Sequence, residues 1–103
     1  MRRIDEIAGQ AQYNEKAIEA YLVKRVKELG GIALKYSNPS QTGYPDRLCK
    51  LPDTPSFWVE LKSKGKKPRP IQQKRIEELR EVGWIAFVAD SKEEIDAILE
   101  IMN

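Results

Sequence analysis

Apolar residues recur at three- and four-residue spacing between Tyr13 and Leu29, where Ile18, Leu22, Val26 and Leu29 line one stripe and Gly30-Gly31 follows. That period predicts an amphipathic helix over 13–29 closed by glycine. The pattern then changes to short runs. Ile32 to Tyr36 reads as a strand, and Ser37 to Gly43 as a polar, turn-rich loop. Asp46 to Leu51 and Phe57 to Lys62 flank a Pro-Asp-Thr-Pro-Ser turn and read together as a hairpin. Ser63 to Pro70 is a basic loop. Pro70 suits the first turn of a helix running to about Val82, with Ile76 and Leu79 toward the core. Gly83 ends that helix, and the nearly continuous apolar run Trp84 to Ala89 predicts a strand covered on both faces. Ser91 with Glu94 forms a capping box for a last helix to about Met102. Residues 1–12 show no period and are expected to form a flexible arm or a frayed helix start.

The order is helix, three strands, helix, strand, helix, an α/β chain with a mixed sheet and helices against it. Strand 57–62, helix 70–82 and strand 84–89 form a βαβ unit, so those two strands should be parallel and their crossover right-handed. A length of 103 residues predicts a single domain over 1–103, and an apolar share of 41% supplies a modest core. Domains of this size often gain from dimerisation. No apolar run approaches 18 residues, and Met-Arg-Arg-Ile-Asp-Glu lacks the apolar region of a secretory signal, so neither membrane span nor export is expected. A cytoplasmic location follows as the expectation. The single Cys49 fits a reducing compartment and reads as a buried strand residue.

The hairpin brings chemistry together. With residues 52–56 as the loop and symmetric pairing, Asp46 lies opposite Lys62 and Leu48 opposite Glu60. Side chains alternate with period two, so Asp46, Glu60 and Lys62 share one face. Asp46 and Glu60 become diagonal neighbours with Cα atoms about 7–8 Å apart, near enough for both carboxylates to reach one cation. A slip of one residue would send Asp46 to the other face. The plainer alternative is a solvated strand face with a cross-strand ion pair. Glu15 falls within the apolar stripe of the first helix and Glu19 on its shoulder. A carboxylate there either needs a neutralising partner or sits wet in the first turn, where it favours the helix dipole.

Charge sharpens the picture. The net charge of +2 hides seven basic residues and no acidic one from Leu61 to Arg75, followed by eight acidic residues against Arg80 and Lys92 from Ile76 onward. A basic stripe directly after Glu60 and Lys62 is the footprint of a phosphate-backbone binder, and the acidic segment is expected to face away from it. Lys64, Lys66, Lys67 and Arg69 are the candidate phosphate contacts, with Lys35 and Gln41 as weaker ones.

Gly43-x-Pro45-Asp46, Glu60-Leu61-Lys62, Pro70-x-Gln72 opening a helix, and Glu15 in an N-terminal helix occur here in that order. The set resembles the VRR-NUC (virus-type replication-repair nuclease) family of the PD-(D/E)xK superfamily, in the minimal form found in phages and bacteria. The resemblance runs from about Tyr13 to the last helix and implies a restriction-endonuclease-like αβββαβ core. It further implies that Asp46 and Glu60 ligate a divalent metal with the carbonyl of Leu61, and that Lys62 orients or helps deprotonate the attacking water. Glu15 would meet the metal directly or through water, with Glu19 as a substitute, and Gln72 would orient the lysine or the phosphate. Branched DNA such as four-way (Holliday) junctions is the substrate it implies, and a homodimer the assembly. Symmetric cutting of two strands also needs two sites.

The donor chemistry agrees. Converging carboxylates need a cation between them, and carboxylate, carbonyl and water ligands select Mg²⁺ or Mn²⁺. With no histidine and one cysteine, zinc and Ser-His or Cys-His acyl transfer are disfavoured, and a metal-activated water becomes the natural nucleophile. No Walker-type phosphate loop is present, so no nucleotide cofactor is expected. The expectation is a metal-dependent endodeoxyribonuclease. The rivals are a catalytically silent nucleic-acid-binding module of the same fold, and a sequence-reading or nicking nuclease acting on linear duplex.

Overall fold

A computed structural model describes residues 14–103; the arm expected at 1–12 lies outside them. The order is α1 (Glu15–Glu28), β1 (Ile32–Lys35), β2 (Arg47–Lys50), β3 (Phe57–Leu61), α2 (Pro70–Glu81), β4 (Ile85–Ala89) and α3 (Lys92–Met102). This is the expected α/β order. The Asn14 side chain caps α1 by accepting from the Ala17 N–H at 2.8 Å. Beyond the helix, Gly30 takes φ +85°, a left-handed conformation natural to glycine, and the Gly30 and Gly31 N–H groups close onto the last-turn carbonyls of Lys27 and Val26.

The sheet order is β1-β2-β3-β4, antiparallel except for the parallel pair β3–β4. One face packs against α1 and α3: Cys49, Phe57, Val59, Leu61 and Ala89 join Ile18, Leu22 and Val26 from α1 and Ile95, Ile98, Leu99 and Met102 from α3. The other face packs Trp58 and Ala86 against Ile76 and Leu79 of α2, with Tyr44, Leu48 and Val88 at the margin. β3 lies between two strands and is buried at every position. β4 is covered on both faces, as its apolar run predicts, but it is an edge strand and leaves Ile85, Phe87 and Val88 half-buried. Among the described residues no helix is long and apolar enough to cross a membrane.

The hairpin register differs from the symmetric expectation. Leu48 pairs with Trp58 rather than Glu60, and Cys49 with Phe57, which leaves residues 50–56 to make the connection. Pro52 and Pro55 have no N–H to give a ladder, and Asp53 turns through φ +60°, so pairing stops earlier than a five-residue loop would allow. The difference is two residues, which preserves side-chain parity. Asp46 therefore keeps its face and comes level with Glu60 instead of diagonal to it. At the start of α3 only half of the expected capping box forms. Ser91 Oγ accepts from the Glu94 N–H at 3.1 Å, while Glu94 Oε1 accepts from the N–H of Asp90, one residue before the cap.

The core makes a direct prediction. Phe57 is fully buried and meets Phe87 edge-on at 6.0 Å, so Phe57→Ala should cost about 3–5 kcal/mol in urea unfolding. Ile101→Ala, at a position 71% exposed, should change stability by less than about 0.5 kcal/mol.

Candidate active site

Glu60 sits on the α2 face of β3 and is 1% exposed. Its Oε2 accepts from Gln72 Nε2 at 3.0 Å and pairs with Lys62 Nζ at 3.3 Å, while its Oε1 has no hydrogen-bond partner among the described residues. The other buried side-chain atom lacking a partner among the described residues is Trp58 Nε1. Burial pushes the Glu60 carboxyl up to about 7, the negative charge of Asp46 adds to this, and Lys62 opposes it.

Asp46 ends the segment that enters β2. Its Oδ2 accepts from the Leu61 N–H at 2.9 Å, fixing the carboxylate beside Glu60, and its carbonyl accepts from the Tyr36 N–H at 2.9 Å. The preceding Gly43 has φ +96°, and a Cβ there would lie 2.9 Å from Ile71 Cγ1 and 3.2 Å from Arg75 Cγ. Only glycine lets the chain pass the first turns of α2 and deliver Pro45-Asp46. Lys62 continues β3, its N–H donating to the Ala89 carbonyl, and its side chain is 12% exposed.

Glu15 opens α1 and is exposed, so the first-turn alternative holds for it. It is nevertheless part of the same electrostatic group. Partial burial raises its carboxyl above the usual carboxylate range, Asp46 raises it further, and Lys62 pulls it down. Glu19 is committed elsewhere, 2.9 Å from Arg47 Nε and 3.4 Å from Lys35 Nζ, and Arg47 also donates to the Ala33 carbonyl. Among the described residues no three Asp, Glu, Cys or His side chains close into a complete metal cage. What converges is a pair, Asp46 and Glu60, with Lys62 against it and Glu15 within electrostatic reach. A buried, orphaned carboxylate oxygen beside a second, half-buried carboxylate fits a hard divalent cation.

Gln72 is joined to Glu60 rather than to Lys62: its Nε2 donates to Glu60, and its Oε1 accepts from the Arg69 N–H at 2.8 Å. The carboxamide thus ties the end of the basic loop to the buried carboxylate. Lys64, Lys66, Lys67 and Arg69 are all exposed on that loop. Asp90 Oδ2 accepts from the Gly65 N–H at 2.9 Å, and a concavity of about 220 Å³ is lined by Lys66, Lys67, Pro68, Gln73, Asp90 and Glu94. The acidic segment therefore does not wholly face away from the basic stripe. β3 and β4 are parallel, so the loop after one and the turn after the other emerge at the same end of the sheet. The neighbouring Glu94 side chain and the hydrogen bond from the Gly65 N–H, with Lys64 and Lys67 nearby, hold the Asp90 carboxyl below the usual range.

Two weaker candidates are occupied locally. Lys35 faces Glu19, and Gln41 Oε1 accepts from Tyr44 Oη at 3.3 Å. Arg75, counted in the basic stripe, is a clamp: its Nε donates to the Thr42 carbonyl at 3.0 Å and its guanidinium lies 5.1 Å from the centre of the Tyr44 ring. Sequence spacing carries no sign of that contact, because the partners are 31 residues apart and meet only through α2. Cys49 is fully buried and its thiol is pushed up to about 12 by burial, in keeping with an unreactive core residue.

No family model matches the chain. "Putative nuclease p44" of Acyrthosiphon pisum secondary endosymbiont phage 1 is 39% identical over 89 residues, spanning 86% of this chain and 95% of that protein. A solved structure titled "VRR_NUC domain" superposes with a TM-score of 0.78 at 33% identity, over 84% of this chain and 94% of that one. An identity of this size across nearly the full length of a phage nuclease, with the same mixed sheet and flanking helices, shows that the chain belongs to the VRR-NUC family of nucleases.

Proposed function

We propose that this chain hydrolyses phosphodiester bonds in DNA with the help of a divalent cation held by Asp46 and Glu60. The observation that carries this reading is the partnerless Oε1 of Glu60, buried beside Asp46 and Lys62. Burying an ionised carboxylate is tolerable only when something compensates it, and Lys62 alone compensates one oxygen. Mg²⁺ or Mn²⁺ bound there, with the Leu61 carbonyl and Glu15 as further donors, would supply Lewis acidity toward the phosphate and lower the pKa of a water. Hydrolysis adds a water oxygen to phosphorus and releases the leaving oxygen with a proton.

The chain's own groups have distinct parts in this. Asp46, fixed by the Leu61 N–H, and Glu60, fixed by Gln72, present oxygens from adjacent strands without further reorganisation. Lys62 offsets the charge of the scissile phosphate and orients the attacking water. The exposed cations of residues 64–69 bear on flanking phosphates. Branched DNA as preferred substrate and a homodimer that brings two sites together belong to the same proposal.

Cleavage of labelled four-way-junction and matched linear duplex DNA, in Mg²⁺, Mn²⁺ or EDTA, tests it. Wild type should cut the junction only with metal, and Asp46→Asn and Lys62→Ala should each lose at least about 100-fold. Lys62→Ala should keep its fold. Metal-dependent cutting of both DNAs alike would retain the chemistry and remove the branch preference; tight binding without cutting in any metal would favour a silent binding module. The paired variant Lys66→Ala/Lys67→Ala should weaken DNA binding and lower the slope of log affinity against log salt by up to about 2.

The pH dependence has a definite sign. The folded Glu60 carboxyl lies at about 7 against an ordinary 4.5, so the folded state keeps a proton that the unfolded state has lost. Without divalent cation, this contribution is fully present below pH 4.5 and disappears as pH rises through about 7, an effect on the order of 3 kcal/mol. Glu60→Gln should flatten that part of the stability profile. Because a cation needs the ionised carboxylate, Mg²⁺ should raise Tm more at pH 8 than at pH 6 in wild type, and at neither pH in Glu60→Gln.

A further inference from the structure

The α2 face of the sheet is covered over β3 and β4 but open over β1. Ile32 and Leu34 are 62% and 56% exposed there, and Tyr36 follows them at the point where the chain leaves the strand. The Tyr36 N–H donates to the Asp46 carbonyl, and the β1–β2 register continues to that pair, so Tyr36 stands beside Asp46 as Asp46 stands beside Glu60. The row Tyr36, Asp46, Glu60 runs across adjacent strands on one face.

The Tyr36 ring is held on several sides. Trp58 meets it edge-on at 5.0 Å and Tyr44 at 5.8 Å, and its hydroxyl accepts from Asn38 Nδ2 at 3.0 Å. It still keeps about a third of its surface in solvent. Its partners themselves are anchored, Tyr44 under Arg75 and Trp58 within the core beneath α2. An aromatic ring braced by two perpendicular neighbours, with about a third of its surface still open beside Asp46, has the form of a stacking platform. Stacked paired bases have no free face to offer such a ring, whereas an unpaired base does.

The geometry points to a nucleobase subsite at Tyr36, with Leu34 as its apolar shoulder, which takes an unpaired base of the strand whose phosphate lies at Asp46 and Glu60. This rests on the nuclease reading and deepens it: the chain acts on DNA with a nucleotide unstacked at the reaction site. The exposed loop cations at residues 64–69 lie on the other side of Glu60 and Lys62 along the chain and grip phosphates, so the base and the backbone are held by different elements.

Fluorescence of 2-aminopurine tests this, read in EDTA so that no cutting occurs, on a duplex with a short unpaired tail and on a continuous duplex. The fluorophore is scanned through the tail, and a matching tail carries abasic residues. Wild type should quench the fluorophore at one tail position and bind the tailed DNA roughly 5- to 100-fold more tightly than its abasic counterpart. Tyr36→Leu should lose the quench and lose more affinity for the tailed DNA than for the duplex; Tyr36→Phe, which keeps the ring, should retain both. Equal affinity of wild type for normal and abasic tails overturns the subsite without reliance on any variant, as does an unchanged quench in Tyr36→Leu. If Tyr36→Leu instead changes the sedimenting mass and leaves the quench intact, the open face serves a second copy of the chain and the subsite is overturned. Failure of wild type to bind either DNA overturns the subsite, and failure to cut in any metal as well overturns the nuclease reading with it, whereas metal-dependent cutting without any preference for unpaired bases overturns the subsite alone.

Discussion

A carboxylate in the middle of a buried strand is the constraint on which this architecture turns. Every neighbour of Glu60 within β3 is apolar and buried, and the side chain has almost no contact with water. Removing a charge from water in this way is expensive, and two elements bring compensation, Lys62 from the same strand and Gln72 from α2, while one oxygen stays without a partner among the described residues. The position is badly suited to stability, and the proposed chemistry is what it would serve. A carboxyl displaced to about 7 is the signature expected where burial and like charge have been concentrated for chemistry.

Topology decides which groups can meet it. The antiparallel neighbour β2 delivers Asp46 level with Glu60, while the parallel neighbour β4 brings its C-terminal turn to the end of the sheet where the basic loop begins. α2 spans the two strands, and its first turn carries Gln72 inward while the loop before it carries Arg69 outward. One short crossover thus links the buried carboxylate and the basic loop. The constraint also reaches Gly43, where the close approach of Ile71 and Arg75 excludes any side chain.

Much of this is legible in the chain because its local signals are strong. The stripe Ile18, Leu22, Val26 and the apolar run from Phe57 after a two-proline turn mark a helix and a strand, and both elements form within a residue or two of their expected bounds. The face shared by Asp46 and Glu60 is legible as well, since parity survives a two-residue change of register. The register itself is not, because the pairing limit is set by where two prolines and Asp53 place the connection in space. Nor are the partners of Glu19, Arg75 and Asp90 visible in sequence, since each is met through tertiary packing between distant segments. In sequence the acidic tail forms one block, whereas the parallel strand pair brings Asp90 and Glu94 back beside the basic loop.

The hydrogen bond from Gly65 to Asp90 bears on how such a loop would meet a polyanion. Lysines on a free tether must be ordered when they engage phosphates, and each immobilised side chain and backbone segment subtracts from the affinity gained. A tether fixed at its midpoint by a carboxylate in the next turn has surrendered part of that freedom on folding. Toward any such polyanion Asp90 would act in two opposite ways: the same carboxylate that reduces the local positive potential also limits how many arrangements the cations must give up.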